Sequence, residues 1–217
     1  MIERATGIIL RTRPLTETSL IVNWLTPDLG RISTVAKGAR RSKSPFRGKL
    51  DLFYEADFSF QRSRRSELHA LREVRLSDTH TAFRAEMGYL QQASYCATLI
   101  EQATERETPL PEIYELLRSF LATLAQHLPR AETVFAFELK LLHESGLAPE
   151  PGESRLTPGA AIIVKKLTAQ DWNSLSRLKA SEPQIRELQQ FLHGFLLQHL
   201  GKIPGNRLAA LGATVSF

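Results

Sequence analysis

Through the first 76 positions, apolar and polar residues alternate in short runs separated by turn residues. Residues 4–13 place Ile8 and Leu10 on one face and Arg11 and Arg13 on the other, and Pro14 ends the run. Residues 19–25 put Leu20, Val22 and Trp24 on one side, and Pro27-Asp28-Leu29-Gly30 is a turn leading to a third run over 31–37. The clearest alternation follows: Leu50, Leu52, Tyr54, Ala56, Phe58 and Phe60 interleave with Asp51, Phe53, Glu55, Asp57, Ser59 and Gln61. A period of two over that length fits a half-buried strand and no helix. A fifth run covers 68–76. Short strands with turn signals and no intervening helix predict a small closed barrel, and the five-stranded oligonucleotide-binding (OB) barrel is the commonest candidate.

After Ser77-Asp78 the period lengthens. Over 81–104, Phe83, Met87, Leu90, Ser94, Ala97 and Ile100 fall at helical spacing. Pro109 and Pro111 open a second helix, striped by Ile113, Leu116, Leu117, Phe120, Leu121 and Leu124. Residues 131–145 are apolar nearly all round, which predicts a buried helix closed by Gly146. Pro149 to Gly152 reads as a loop, and residues 160–164 as strand or packed coil. Thr168 with Asp171 resembles a capping box. Ser181 opens a last long helix ending at Gly201, and the tail from Asn206 is weakly specified. The expected class is α+β: an OB-fold barrel over 1–78, then an all-helical domain over 79–217.

Charge changes this picture more than composition does. Net charge is +5 overall, but residues 1–76 hold 15 Lys/Arg against 8 Asp/Glu. No acid occurs between Asp28 and Asp51, while Arg31, Lys37, Arg40, Arg41, Lys43, Arg47 and Lys49 all fall there. Most sit on a Gly/Ser/Pro-rich excursion between strands, where backbone can approach a ligand. Arg62, Arg64 and Arg65 form a second basic turn, and Arg11, Arg13, Arg72 and Arg75 lie on strand faces. Cations on loops of a small barrel are how phosphate-backbone contacts are built. The plainer alternatives are a solvated basic loop or an adaptor whose loops meet an acidic protein surface. Trp24, Phe46, Phe53 and Tyr54 are near enough to stack on bases, or else form barrel core.

The enzyme case is thin. There is no phosphate-binding Gly-rich loop and no Gly-x-Ser-x-Gly elbow. None of the six histidines pairs with another at i, i+3 or i, i+4. Glu101/Glu105 and Glu112/Glu115 read as solvated faces. The single cysteine, Cys96, excludes an intrachain disulfide and a Cys-based zinc site. No catalytic residue, metal site or cofactor is expected. No apolar run approaches a membrane span, and a reducing cytosol is the expected setting.

Gly7-Ile8-Ile9-Leu10-Arg11-Thr12-Arg13-Pro14, Glu17-Thr18-Ser19-Leu20, Gly30-Arg31, Val35-Ala36-Lys37-Gly38-Ala39-Arg40 and Phe46-Arg47-Gly48-Lys49-Leu50 resemble the opening of the bacterial DNA repair protein RecO family. Phe137-Glu138-Leu139-Lys140-Leu141-Leu142 with Gly146-Leu147 is similar to that family's central helix. The resemblance implies a non-enzymatic recombination mediator with an OB-fold and a helical domain. Such a protein binds single- and double-stranded DNA, anneals complementary strands, and works with RecR so that RecA replaces the single-stranded-DNA-binding protein. It implies a cytoplasmic, nucleoid-associated setting, and makes Lys37, Arg40, Arg41 and Arg47 DNA contacts. Two departures stand out. Many relatives carry a four-cysteine zinc module after the central helix, whereas residues 149–167 here lack cysteine. Some place arginine just before the Phe-Glu-Leu triplet to meet the acidic tail of the single-stranded-DNA-binding protein. Here those positions are Phe135 and Ala136, so a docked tail would use other cations.

Overall fold

A computed structural model describes residues 1–81, 84, 86–124, 126–149 and 156–212. The chain divides into two compact units, Met1–Thr81 with Thr104–Glu115, and Ala82–Ala103 with Leu116–Phe217.

The first unit is the OB-fold barrel. Strands β1 (Ile2–Pro14), β2 (Leu20–Thr26), β3 (Gly30–Ala36), β4 (Glu55–Gln61) and β5 (Leu68–Asp78) close in the order β1-β2-β3-β5-β4. All pairs are antiparallel except β3 with β5, which run parallel over Ser33–Leu68 to Val35–Ala70. Closure leaves no edge strand to manage. The barrel is filled by Ile9, Val22, Trp24, Ile32, Ala56, Phe58, Phe60, Leu71 and Val74. Trp24 stacks on Phe58 with ring centroids 4.1 Å apart, and its indole N–H donates to Thr34 Oγ1 at 2.9 Å, so no polar atom of the ring is orphaned.

The fourth strand starts five residues later than its alternation predicts. Leu52 N–H donates to Asp51 Oδ1 at 2.8 Å and Tyr54 N–H to Asp51 O at 3.3 Å, which turns the chain. Phe53 adopts φ 65° and is buried, although alternation assigns it to the polar face. Its N–H donates to Ile9 O at 2.8 Å, and Ile9 N–H donates to Tyr54 O at 3.0 Å. An aspartate-led turn with one residue in the left-handed region overrides the period of two.

Thr104–Glu115 belongs to the barrel unit, a return that a strands-then-helices pattern does not announce. Arg106 bridges in parallel to Arg31, Glu107 N–H donates to Arg31 O at 3.1 Å, and Leu110 N–H donates to Pro27 O at 2.9 Å. Gly30 makes the approach possible. It sits at φ 63°, and a Cβ there would lie 1.8 Å from the Thr108 carbonyl oxygen. That neighbour is backbone and cannot rotate away. Gly30→Ala should therefore destabilise the protein by about 2–3 kcal/mol and lift this segment off the barrel. Urea unfolding together with limited proteolysis checks this; an unchanged midpoint and unchanged cleavage around residues 104–110 would contradict it.

In the second unit, α1 (Met87–Ala103), α2 (Pro111–Leu124), α3 (Ala131–Glu144), α4 (Pro158–Ala169), α5 (Trp172–Leu175), α6 (Glu182–Leu200) and α7 (Arg207–Ala210) follow in order, the first turn of α2 being counted with the barrel. The described part of the first helix begins at Met87, and Phe83 of its predicted stripe lies outside the described residues. Helix α3 is the centre, packed by α1, α4 and α6, with Val134 through Leu139 all buried. Gly146 closes it at φ 71°, its N–H donating to His143 O while Leu147 N–H reaches Leu142 O. Phe120 packs on Phe137 and Trp172 at 4.8 and 5.5 Å.

Three expectations are corrected here. Residues 160–164 are helical, inside α4, because Thr157 caps the helix by accepting from Ala160 N–H and Pro158 starts it. Thr168 opens nothing: it lies in the last turn of α4, and Asp171 itself caps α5 by accepting from Ser174 N–H at 2.9 Å. The tail is specified as far as Leu211, since α7 forms and Arg207, Ala210 and Leu211 are buried; residues 213–217 lie outside the described residues. Of the loop read over Pro149 to Gly152, residues 150–152 also lie outside them.

Candidate nucleic-acid interface

The excursion over residues 37–49 is a folded cap and not an open loop. Successive turns carry it: Ala39 N–H donates to Ala36 O, Arg41 to Gly38 O, Ser44 to Arg41 O, Arg47 to Ser44 O and Lys49 to Phe46 O. Gly38 (φ 69°) and Gly48 (φ 72°) supply the left-handed positions near its two ends. Arg40 N–H donates to Thr18 O at 2.9 Å, which ties the cap to the β1–β2 turn. Phe46 is 7% exposed and joins the barrel core, pinning the far side. Lys49 Nζ donates to Val74 O at 3.3 Å, and Arg47 holds Ser42 O at 3.3 Å.

These anchors leave Lys37, Arg40, Arg41, Lys43 and Arg47 exposed. Among the described residues no carboxylate pairs with any of the last four. The acid-free stretch around them makes that outcome local, because no sequence neighbour is able to neutralise them. Arg13 joins this end of the barrel through the ladder Arg13–Ile21–Val35, two residues before Lys37, and Arg11 lies two pairs further along, opposite Asn23. Both are exposed.

Arg31, Arg62, Arg64 and Arg65 lie at the other end. Six residue steps, mostly along β3, separate Arg31 from Lys37, about 20 Å at strand rise. Arg31 is not free: its Nε donates to Thr104 Oγ1 at 2.8 Å and its guanidinium also reaches Thr104 O. Arg62 grips Glu3 through two bonds of 2.8 and 3.0 Å, and Glu107 at 3.0 Å. The hydrogen bond from Arg62 holds the Glu3 carboxyl below its ordinary range, and the Glu3 carboxylate in turn raises Arg62. Arg106 pairs with Glu67 in the same turn. Beside them His69 stacks on Phe60, and burial pushes its imidazole down, toward the neutral form. Arg64 and Arg65 are exposed at the tip. The two basic loops thus differ in kind: the β4–β5 turn is threaded with acids, and the 37–49 cap is not. Glu3 and Glu107 are remote in sequence from Arg62, so no local reading finds this compensation.

Of the two readings open for the aromatics, Trp24, Phe46 and Phe53 take the core one, all three being buried. Tyr54 is half-buried and packs against the same core. The barrel needed these rings more than its surface did. No group of three or more His, Cys, Asp or Glu positioned for a metal ion occurs among the described residues, Cys96 is buried, and no described helix is long and apolar enough to cross a membrane.

Two family models match, one described as "Recombination protein O N terminal" over residues 1–80 and one as "Recombination protein O C terminal" over residues 89–151. The chain belongs to the RecO family. The DNA repair protein RecO of Anaeromyxobacter sp. (strain K) is 29% identical over 242 residues, covering 95% of this chain and 93% of that one. That of Rhodopirellula baltica is 34% identical over 143 residues, covering 66% and 53%, and that of Bacillus pumilus 30% over 150 residues, covering 69% and 58%. Membership assigns the chain to DNA repair, and the RecO N-terminal model spans the whole barrel with its cap. The C-terminal model ends before α4, so α4 to α7, Arg207 included, lie beyond it.

Proposed function

We propose that this RecO protein is a non-enzymatic recombination mediator whose barrel binds single- and double-stranded DNA through the 37–49 cap. The observation that carries the reading is the uncompensated cluster Arg40, Arg41, Lys43 and Arg47 on a cap anchored at both ends. Lys37, Lys49, Arg13 and Arg11 add positive charge along the same end of the barrel. Arg31 and Arg62 are occupied within the protein and serve as supports, and Arg64 and Arg65 are secondary contacts. Cations that hold phosphates without reading sequence lower the mutual repulsion of two strands. That is what annealing of complementary strands requires, and it needs no nucleotide hydrolysis. The barrel over 1–78, with the returning segment 104–115, is the DNA-binding domain, and the rest of 79–217 is the helical domain. In the cell, cytoplasmic and nucleoid-associated, the protein acts with RecR to help RecA replace the single-stranded-DNA-binding protein. Phe135 and Ala136 are fully buried, so any docking of that protein's acidic tail uses other positions.

Strand annealing on DNA coated with the single-stranded-DNA-binding protein, with and without RecR, tests this. Annealing above the spontaneous rate without ATP is expected. Annealing no faster than the protein-free control, or strictly dependent on ATP, would overturn the reading.

A further inference from the structure

The cap borders an open hollow of ≈ 400 Å³ on the barrel surface, within the range of about 300–1,000 Å³ usual for small-molecule sites. Its lining has two chemistries. Leu20, Phe46 and Leu50 contribute apolar surface continuous with the barrel core. Arg40, Arg41 and Arg47 line it from the exposed cap and bring positive charge to its rim, and the Arg47 guanidinium is steadied by its bond to Ser42 O. A purely electrostatic grip on phosphate needs the second set and has no use for the first. Gly48 also lines the hollow, and a Cβ there would meet nothing within 4 Å, so its side of the wall is open.

Resting on the DNA-binding reading above, we propose that this hollow receives one unpaired base of a single strand, with its flanking phosphates on the three arginines. A paired base keeps its faces in the stack and does not enter. The cap therefore favours single strands or strand ends over intact duplex, and each bound segment has one base sheltered while the others remain available for pairing. The ligand chemistry, an apolar planar base joined to phosphate, is shared by a free mononucleotide and a strand. Only the strand also engages Lys37, Lys43 and Arg13, so a free mononucleotide should compete poorly.

The test compares three ligands of matched charge over a series of salt concentrations: an oligothymidylate, the same strand with abasic sites throughout, and inorganic polyphosphate. The intact strand should bind at least about fivefold more tightly than the abasic one, the scale of one base contact, and all three should share a similar salt slope. A 2-aminopurine within the strand should change fluorescence on binding. Ser42→Trp, at an exposed position lining the hollow, should abolish both the base preference and the fluorescence change while leaving the salt slope. Leu50→Ala, which trims the apolar wall, should weaken the preference, with circular dichroism confirming that both variants fold. Equal binding of intact and abasic strands, or an undiminished preference in both variants, would overturn the base-sheltering hollow and leave DNA binding by charge standing. If none of the three ligands binds, DNA binding itself fails and the hollow falls with it.

Discussion

Replacing Arg40, Arg41, Lys43 and Arg47 together with alanine should cut affinity for single-stranded DNA by roughly 10²–10³-fold at about 0.1 M salt. Each phosphate neutralised on a single strand contributes about 0.7 to the slope of log K against log salt, so four lost contacts flatten that slope by about 3. The difference between variant and parent therefore grows as salt falls and nearly vanishes toward 1 M. The fold should survive, because these side chains are exposed and the anchors of the cap are main-chain bonds and Phe46. A matched control at the other end, Arg64 and Arg65 to alanine, should move the slope by no more than about 1.4. Binding titrations at four salt concentrations decide it. An unchanged slope in the fourfold variant would remove these residues from the interface, whatever its effect on affinity at a single salt.

The two ends of the barrel show why part of this site is legible in sequence and part is not. The basic cap is visible because its cause is local: 22 consecutive positions between Asp28 and Asp51 contain no acid, so nothing nearby cancels the charge. The β4–β5 turn looks equally basic, yet Arg62 is answered by Glu3 from the start of β1 and by Glu107 from a returning segment. Those pairings depend on barrel closure and on Gly30 admitting Thr108, which periodicity does not encode. Alternation identifies all five strands but misplaces the start of β4, where an Asp51-led turn outweighs it. The aromatics mark the same divide. Residue type makes Trp24 and Phe46 fit either to stack on bases or to fill a core, and only closure of the barrel brings them together with Ile9, Phe58, Phe60 and Leu71 in its interior. Helix caps, by contrast, read well at Ser181, Gly146 and Gly201, because a cap is made by neighbours along the chain.

The largest stability effect is expected far from the cap, at Arg207. Its side chain is 4% exposed and grips Glu138, which is 0% exposed, through Nε at 2.7 Å and Nη2 at 2.9 Å. Tyr95 completes the site by donating its hydroxyl to Glu138 Oε1 at 2.5 Å. Burial pushes the Tyr95 hydroxyl well above its ordinary value, so it remains a donor throughout the neutral range. The central helix thus carries a buried carboxylate that is met by Tyr95 of α1 and, as its cation, by Arg207 of the short helix α7. Arg207→Ala leaves the buried Glu138 carboxyl without its cation and with the Tyr95 hydroxyl as its remaining partner here, at an expected cost of about 3–5 kcal/mol. Glu138→Leu alone strands the guanidinium and should cost a similar amount. Arg207→Met combined with Glu138→Leu removes both charges together and should recover most of the loss, since desolvating the pair offsets much of its attraction. Chemical denaturation of the parent, the single variants and the double variant reads this as a strong coupling between the two positions. Single variants within about 0.5 kcal/mol of the parent would mean that the carboxylate finds water or another cation, and that α7 is dispensable. The contrast with the cap is electrostatic: the buried charge of Glu138 is compensated within the protein, whereas Arg40, Arg41, Lys43 and Arg47 meet no carboxylate among the described residues.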